Sequence, residues 1–182
     1  GGVLLGEMES EDGIYLQDMD EDKSLDKDGL HGYKYDDAKS FLRMSPVYAR
    51  FLDLLDEGKL AVAVLKSTGK AGVITPEGKI VIPFIYDGLS GTAGENNEFL
   101  IFKKNGKKGM VDLTGKVIIP FEYSSISSVD YQSTRLLLTK EKNSAGVAIS
   151  YLVNTANKRL YDGELLDAEY SEGLIRATTT RN

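Results

Sequence analysis

Residues 78–87 read GKIVIPFIYD, and residues 115–124 read GKVIIPFEYS, the same phrase 37 positions later. A catalytic motif needs to occur once, whereas a phrase that recurs at a fixed interval reports a recurring piece of architecture. Shifting the chain against itself by that interval aligns three copies of one grammar: LAVAVLKSTGKAGV, EFLIFKKNGKKGMV and RLLLTKEKNSAGVA, with Gly72, Gly109 and Gly146 in register. Each copy opens on an apolar or β-branched run and holds a turn, at Thr68-Gly69, Asn105-Gly106 and Lys142-Asn143. Gly69, Gly106 and Asn143 coincide, as expected where the backbone needs a positive φ. Asn-Gly between two such runs signals a β-hairpin.

A second turn follows in each copy, at Thr75-Pro76-Glu77-Gly78, Asp112-Leu113-Thr114-Gly115 and Asn154-Thr155-Ala156-Asn157, and a lysine succeeds each at 79, 116 and 158. A polar first residue and a final Gly or Asn fit a type I turn closed by a left-handed residue. The opening phrase then supplies a third strand, so each unit is expected to be an antiparallel three-stranded meander. Pro83 and Pro120 lack the N–H a ladder requires, so each should end its strand or lie on an unpaired edge.

The third copy departs from the others. Five residues are inserted after Gly146, and Leu160-Tyr161 replaces the Ile-Pro pair. Glu172-Gly173-Leu174-Ile175 resembles the start of a further unit, as Glu57-Gly58-Lys59-Leu60 introduces the first clear one. Upstream, Tyr35 in YKYDDA stands where Tyr86 and Tyr123 stand, once a 14-residue insertion, SPVYARFLDLLDEG at 45–58, is allowed for. Ser45 suits a helix N-cap, Pro46 the first helical position and Gly58 the residue past the end. Val47, Phe51, Leu54 and Leu55 make an i, i+4, i+7, i+8 stripe, which predicts an amphipathic α-helix packed on the sheet. The expected fold is therefore all-β, a repeat array of antiparallel three-stranded meander units with one inserted α-helix. Its parts are an acidic β segment over 1–44, the helix over 45–58 and the repeats over 59–182. A partial propeller is set aside because three strands rather than four are visible per unit.

Composition narrows the function classes. The 182-residue chain can bury roughly 70% of its extended surface without metal or disulfide support. It has no cysteine, which excludes thiolate catalysis and cysteine-ligated zinc. No apolar run approaches the roughly 20 residues that span a bilayer, and GGVLLGEM is too short and lacks the basic residues of a signal peptide. Residues 1–57 carry 15 acidic and 6 basic side chains, while the remainder carries 13 and 16, together the net −6 of the whole chain. That imbalance argues against nucleic acid as a partner. Lys103, Lys104, Lys107 and Lys108 are the local exception; they flank a predicted hairpin turn and read as a solvated turn before an anion-binding patch.

Aspartates 18, 20, 22 and 26 have the 1, 3, 5, 9 spacing of an EF-hand loop, but Lys23 replaces the glycine of the bend and Gly29 the bidentate acid. Residues 18–29 therefore read as a solvated acidic loop, with calcium the only cofactor they suggest. His31, the single histidine, lies in an alternating strand-like run and reads as an ordinary side chain. GLSGTAG at 88–94 is spaced G-x-x-G-x-x-G and precedes ENNEFLIF, a strand-like run, where a phosphate loop requires a helix N-terminus; it reads as a linker. The recurring aromatics Tyr35, Tyr86, Tyr123 and Tyr170 either stack as a buried ladder or line a groove. Phe84 and Phe121 precede two of them on the same face of an extended segment.

KAGVITPEGKIVIPFIYD and KKGMVDLTGKVIIPFEYS resemble the WG, or KWG, repeat family of bacterial proteins, strongly in two units and weakly in the third, over residues 58–182. The chain has no tryptophan. Ala71, Lys108 and Ala145 fill the family's aromatic position. The resemblance implies β-rich repeats and an interaction or envelope-associated role, with a periplasmic, surface or secreted setting ahead of the cytoplasm, and it brings no catalytic residues. The expected function is a non-enzymatic binding protein that contacts a protein or glycan through exposed repeat surfaces, with the tyrosine series as its site. The alternatives are a carboxylate-based hydrolase and a calcium module.

Overall fold

A computed structural model describes residues 48–179 of the chain, which fall into two compact units that divide after Asp87. In the first unit, β1 (Tyr48–Leu55), β2 (Leu60–Leu65), β3 (Ala71–Ile74) and β4 (Ile80–Tyr86) form one antiparallel sheet in chain order. In the second, β5 (Gly88–Ala93), β6 (Phe99–Lys104), β7 (Lys107–Asp112) and β8 (Val117–Tyr123) form another. A third sheet runs β9 (Ser125–Ser128), β10 (Arg135–Thr139), β11 (Ser150–Asn154), β12 (Leu165–Ser171) and β13 (Leu174–Thr179). The chain is thus a series of antiparallel β meanders, as the repeat implied.

The unit has four strands, not three, and this removes the ground on which a propeller-type blade was set aside. The strands hidden from the pattern are the first of each sheet. β5 is the GLSGTA read as a linker, and β9 is SISS; both are short, rich in Gly or Ser, and lie on sheet edges, where one neighbour's ladder suffices to hold them.

Residues 48–55 correct the helix expected over 45–58. Tyr48–Leu55 is a strand, and Asp56–Gly58 is a single 3-10 turn with Asp56, Glu57 and Gly58 all at positive φ. β1 pairs with β2 through Leu54↔Ala61 and Leu55↔Leu60, with register shifts between Tyr48 and Arg50 and between Phe51 and Asp53. Each bulge adds a residue and breaks strict alternation, so apolar positions that serve a bulged strand take on the spacing of a helix. Leu54 and Leu55 are both buried, and ladder bonds to β2 override the local capping signals.

The turns follow the sequence closely. Gly69 and Gly106 have positive φ, as do Gly78, Gly115 and Asn157, the closing residues of the second turn in all three copies. Asn143 does not share the conformation of Gly69 and Gly106; it starts a turn of the second kind. Its Oδ1 accepts from the amides of Ala145 and Val147, as Asp112 Oδ1 accepts from those of Thr114 and Lys116. The inserted residues therefore lengthen the β10–β11 hairpin, and Gly146, at φ 79°, corresponds to Gly115 rather than to Gly109.

Gly72 and Gly109 do the same job for a different reason. On β4, Pro83, Phe84 and Ile85 lie between the pairs Val73↔Ile82 and Ala71↔Tyr86, so three residues bulge opposite Gly72. β8 repeats this with Pro120, Phe121 and Glu122 opposite Gly109. The phenyl ring folds back onto the glycine: a Cβ at position 72 would lie 2.6 Å from the Ile82 carbonyl oxygen and 2.9 Å from Phe84 Cγ, and one at 109 would lie 2.6 Å from Phe121 Cγ. Both prolines lie on edge strands, within the strand rather than at its end.

In the second unit, Ala93, Ile101, Met110, Ile119 and Tyr123 of one sheet pack against Ile126, Leu136, Leu138 and Val153 of the next. Burying each large aliphatic side chain contributes about 1.5–3 kcal/mol. The Ser124 and Gly94 amides donate to the Thr139 and Ser133 carbonyls, both at 2.8 Å, and tie the two sheets at their rims.

Candidate functional site

The tyrosine series divides by burial. Tyr86 and Tyr123 are 3% and 7% exposed, core residues whose rings offer no surface to a partner. Burial raises the pKa of both phenols. Their counterpart in the third sheet is not Tyr170. Tyr86 pairs with Ala71 and Tyr123 with Lys108, and the matching pair in the third sheet is Leu165 with Ser150. Ser150, not Ala145, accordingly takes the family's aromatic position, and its hydroxyl shares a hydrogen bond with Thr139 Oγ1. Tyr170 lies opposite Ile175 in the β12–β13 hairpin and meets Tyr131 edge to face at 5.5 Å. Tyr35, His31 and the candidate metal ligands Asp18, Asp20, Asp22 and Asp26 lie outside the described residues.

Among the described residues two carboxyls have displaced pKa values, and both are turn caps. Burial pushes Asp130 up, but the Thr134 hydroxyl and amide, the Arg135 amide and the Arg135 charge outweigh it and hold the carboxyl below its usual range. Asp112 is lowered in the same way, against burial, by the Thr114 hydroxyl and amide and by Lys116. General-acid work at a glycosidic bond needs a carboxyl shifted upward; these two are shifted downward. Among the described residues no three His, Cys, Asp or Glu side chains gather as a metal site.

Exposed apolar side chains lie on β4 and β8, at Ile80, Ile85 and Val117, and again where the third copy breaks the pattern. β11 carries Tyr151 at the place of Gly72 and Gly109, so no phenyl ring can fold back there. The fourth-strand segment touches β11 at only two places. Arg159 bridges Val153, with the Leu160 amide donating to the Leu152 carbonyl, and Leu165 pairs with Ser150. Residues 160–164 bow out between these anchors and leave Leu160 45% and Tyr161 42% exposed. The Arg159 guanidinium lies 4.0 Å from the Tyr151 ring centroid, and the Tyr151 hydroxyl donates to Glu164 at 3.3 Å. Burial, then the Glu164 charge and that hydrogen bond, raise the Tyr151 pKa.

Two clefts flank the bowed segment. One, of about 720 Å³, is walled by Arg159, Tyr161, Asp162, Glu164 and Thr179. The other, of about 380 Å³, is walled by Arg135, Leu152, Leu160, Tyr161, Leu174 and Ile175. Leu174 is 74% exposed at the start of β13, the outermost strand of its sheet. The β12–β13 hairpin turns on Glu172 and Gly173 at φ 52° and 81°, matching the 55° and 58-position 85° of Glu57 and Gly58 between β1 and β2. β13 is therefore the equivalent of β2, which has a third strand on its far side; among the described residues none lies beyond β13.

Sequence reasoning passed over this surface by treating the loss of Ile-Pro as drift. The usable signal was the double loss, of the proline-phenylalanine bulge and of the glycine beneath it, because either change alone leaves the other without a partner. Residues 72–107 and 109–131 match the family described as WG containing repeat. No curated protein matches the chain.

Proposed function

We propose that this chain, which belongs by its residues 72–131 to the WG repeat family, is a binding protein without catalytic activity that captures an extended polypeptide along β13. The observation that carries this is the apolar cleft beside Leu174 and Tyr161, next to β13, which among the described residues has a neighbouring strand on one side. Strand addition supplies main-chain hydrogen bonds to any extended segment, and alternate side chains of the guest drop into neighbouring clefts. The family is not a known enzyme family, and the two carboxyls with displaced pKa values are committed to turns, which supports binding rather than turnover. A glycan is the second reading, favoured by the larger cleft, where Tyr161 offers an aromatic platform beside Arg159, Asp162 and Glu164.

A synthetic peptide of residues 106–124 is a suitable probe, because β7 within it is the strand that pairs with β6, the β2 equivalent of the second sheet. Fluorescence anisotropy should report saturable binding that Leu174→Asp weakens at least ten-fold while Arg159→Ala leaves it within two-fold, about 1.4 against 0.4 kcal/mol. Methylating alternate backbone nitrogens of the peptide should abolish binding. Binding that ignores both Leu174→Asp and backbone methylation would sink the strand-addition mechanism, and a dependence on Arg159 alone would favour the glycan cleft.

A further inference from the structure

We propose that the β6–β7 hairpin tip and the lengthened β10–β11 hairpin beside it form a docking face for an anionic phospholipid surface. Within β6–β7, Lys103 stands directly opposite Lys108, and Lys104 directly opposite Lys107. Like charges at directly opposed positions destabilise a hairpin, and this tip holds two such pairs. Successive residues of a strand point to opposite faces, which puts one lysine pair on each side of the tip. The turn between them is Asn105-Gly106, both residues at positive φ, a rigid two-residue connection.

The insertion peculiar to the third copy brings more charge to the same end. Lys107 forms an ion pair with Glu141, which fastens the two hairpins together, and Lys140 lies over the Tyr123 ring at 5.8 Å. Lys142 precedes the Asn143 turn, whose side chain accepts from the Ala145 and Val147 amides, and Val147 is 37% exposed in the same hairpin tip. A linear polyanion follows one face of a hairpin. Lysines on both faces of one tip, with a neighbouring basic tip bearing an exposed apolar residue, suit a charged plane that both tips enter end-on. Four to eight basic residues at a surface give the range over which acidic leaflets attract protein, with each lysine worth about a five-fold change in partition.

The full chain should sediment with vesicles of phosphatidylglycerol in phosphatidylcholine, stay in solution with phosphatidylcholine alone, and be released by added salt. Lys103→Gln with Lys108→Gln should cut partition by about five-fold per lysine. Because it removes a like-charge pair, its thermal midpoint should be unchanged or higher, so lost binding cannot be ascribed to unfolding. Val147→Asp should weaken binding further, without touching the lysines. Failure to sediment with anionic vesicles at low salt, or unchanged sedimentation of the lysine variant, would overturn the proposal. Tight binding of soluble linear polyphosphate without vesicle binding would overturn it too, by assigning the lysines to a free phosphate chain.

Discussion

The second and third sheets begin from one repeat and end differently. In the second, Phe121 folds onto Gly109, the fourth strand bulges at Pro120 and returns to the ladder at Tyr123, and its inward face closes over the core. In the third, Tyr151 stands where the glycine would be, Arg159 covers its ring, and the fourth strand bows out past Leu160 and Tyr161. Glycine and phenylalanine are therefore one device in two pieces. Keeping both returns the fourth strand to the ladder after its bulge; losing both leaves it anchored at two points only.

The sharpest way to break this comparison is Gly109→Ala. A Cβ there meets the Ile119 carbonyl at 2.8 Å as well as the phenyl ring, and a carbonyl cannot swing aside, so we expect a loss of about 3 kcal/mol or more by chemical denaturation. Gly146→Ala, in open space but at positive φ, should cost only about 1 kcal/mol. Equal costs would mean that the 37-residue alignment, and not the structural pairing, identifies equivalent glycines.

A smaller effect tests the turns. Asp112 in the second sheet and Asn154 in the third accept the same pair of amides, one side chain charged and the other neutral. Asp112→Asn should therefore cost less than about 1 kcal/mol at neutral pH. Its folded-state pKa is lowered, so the stability it adds is present above the unfolded value and is lost as pH falls through the folded one. The variant should be the less acid-sensitive of the two in melts between pH 6 and about 2. A steeper acid loss in the variant would contradict the assignment.

The smallest effect lies in the third sheet's replacement contact. Arg159→Ala should cost about 0.5–1 kcal/mol for an exposed cation over a ring. Because Arg159 favours the Tyr151 phenolate, its removal should move that group's alkaline titration upward, which ultraviolet absorbance can follow. An unmoved titration would separate the guanidinium from the ring in solution.

Much of this was legible in the sequence because it rests on backbone chemistry. Gly78, Gly115 and Asn157 announce left-handed residues, and all three have them. Asn105-Gly106 announces a two-residue hairpin turn, and strands flank it. What stayed hidden depends on neighbours. GLSGTA and SISS have no strand pattern of their own and become strands only because β6 and β10 offer them a ladder. The bulges of β1 disguised a strand as a helix. Tyr86 and Tyr123 recur as a binding series would, yet recurrence cannot tell a core ring from a surface one; burial can. The bowed segment was visible only as a departure from consensus, since a missing bulge does not reveal what it uncovers.

One residue, Ser124, separates the last strand of the second sheet from the first strand of the third, and Asp87 alone separates β4 from β5. With no loop to close at these joints, the entropic cost of connecting one sheet to the next stays small. A gene duplication running from one buried tyrosine to the next would insert a whole sheet with its own ladder and turns. The fold can therefore lengthen by whole copies, and a copy can lose its glycine and its phenylalanine together.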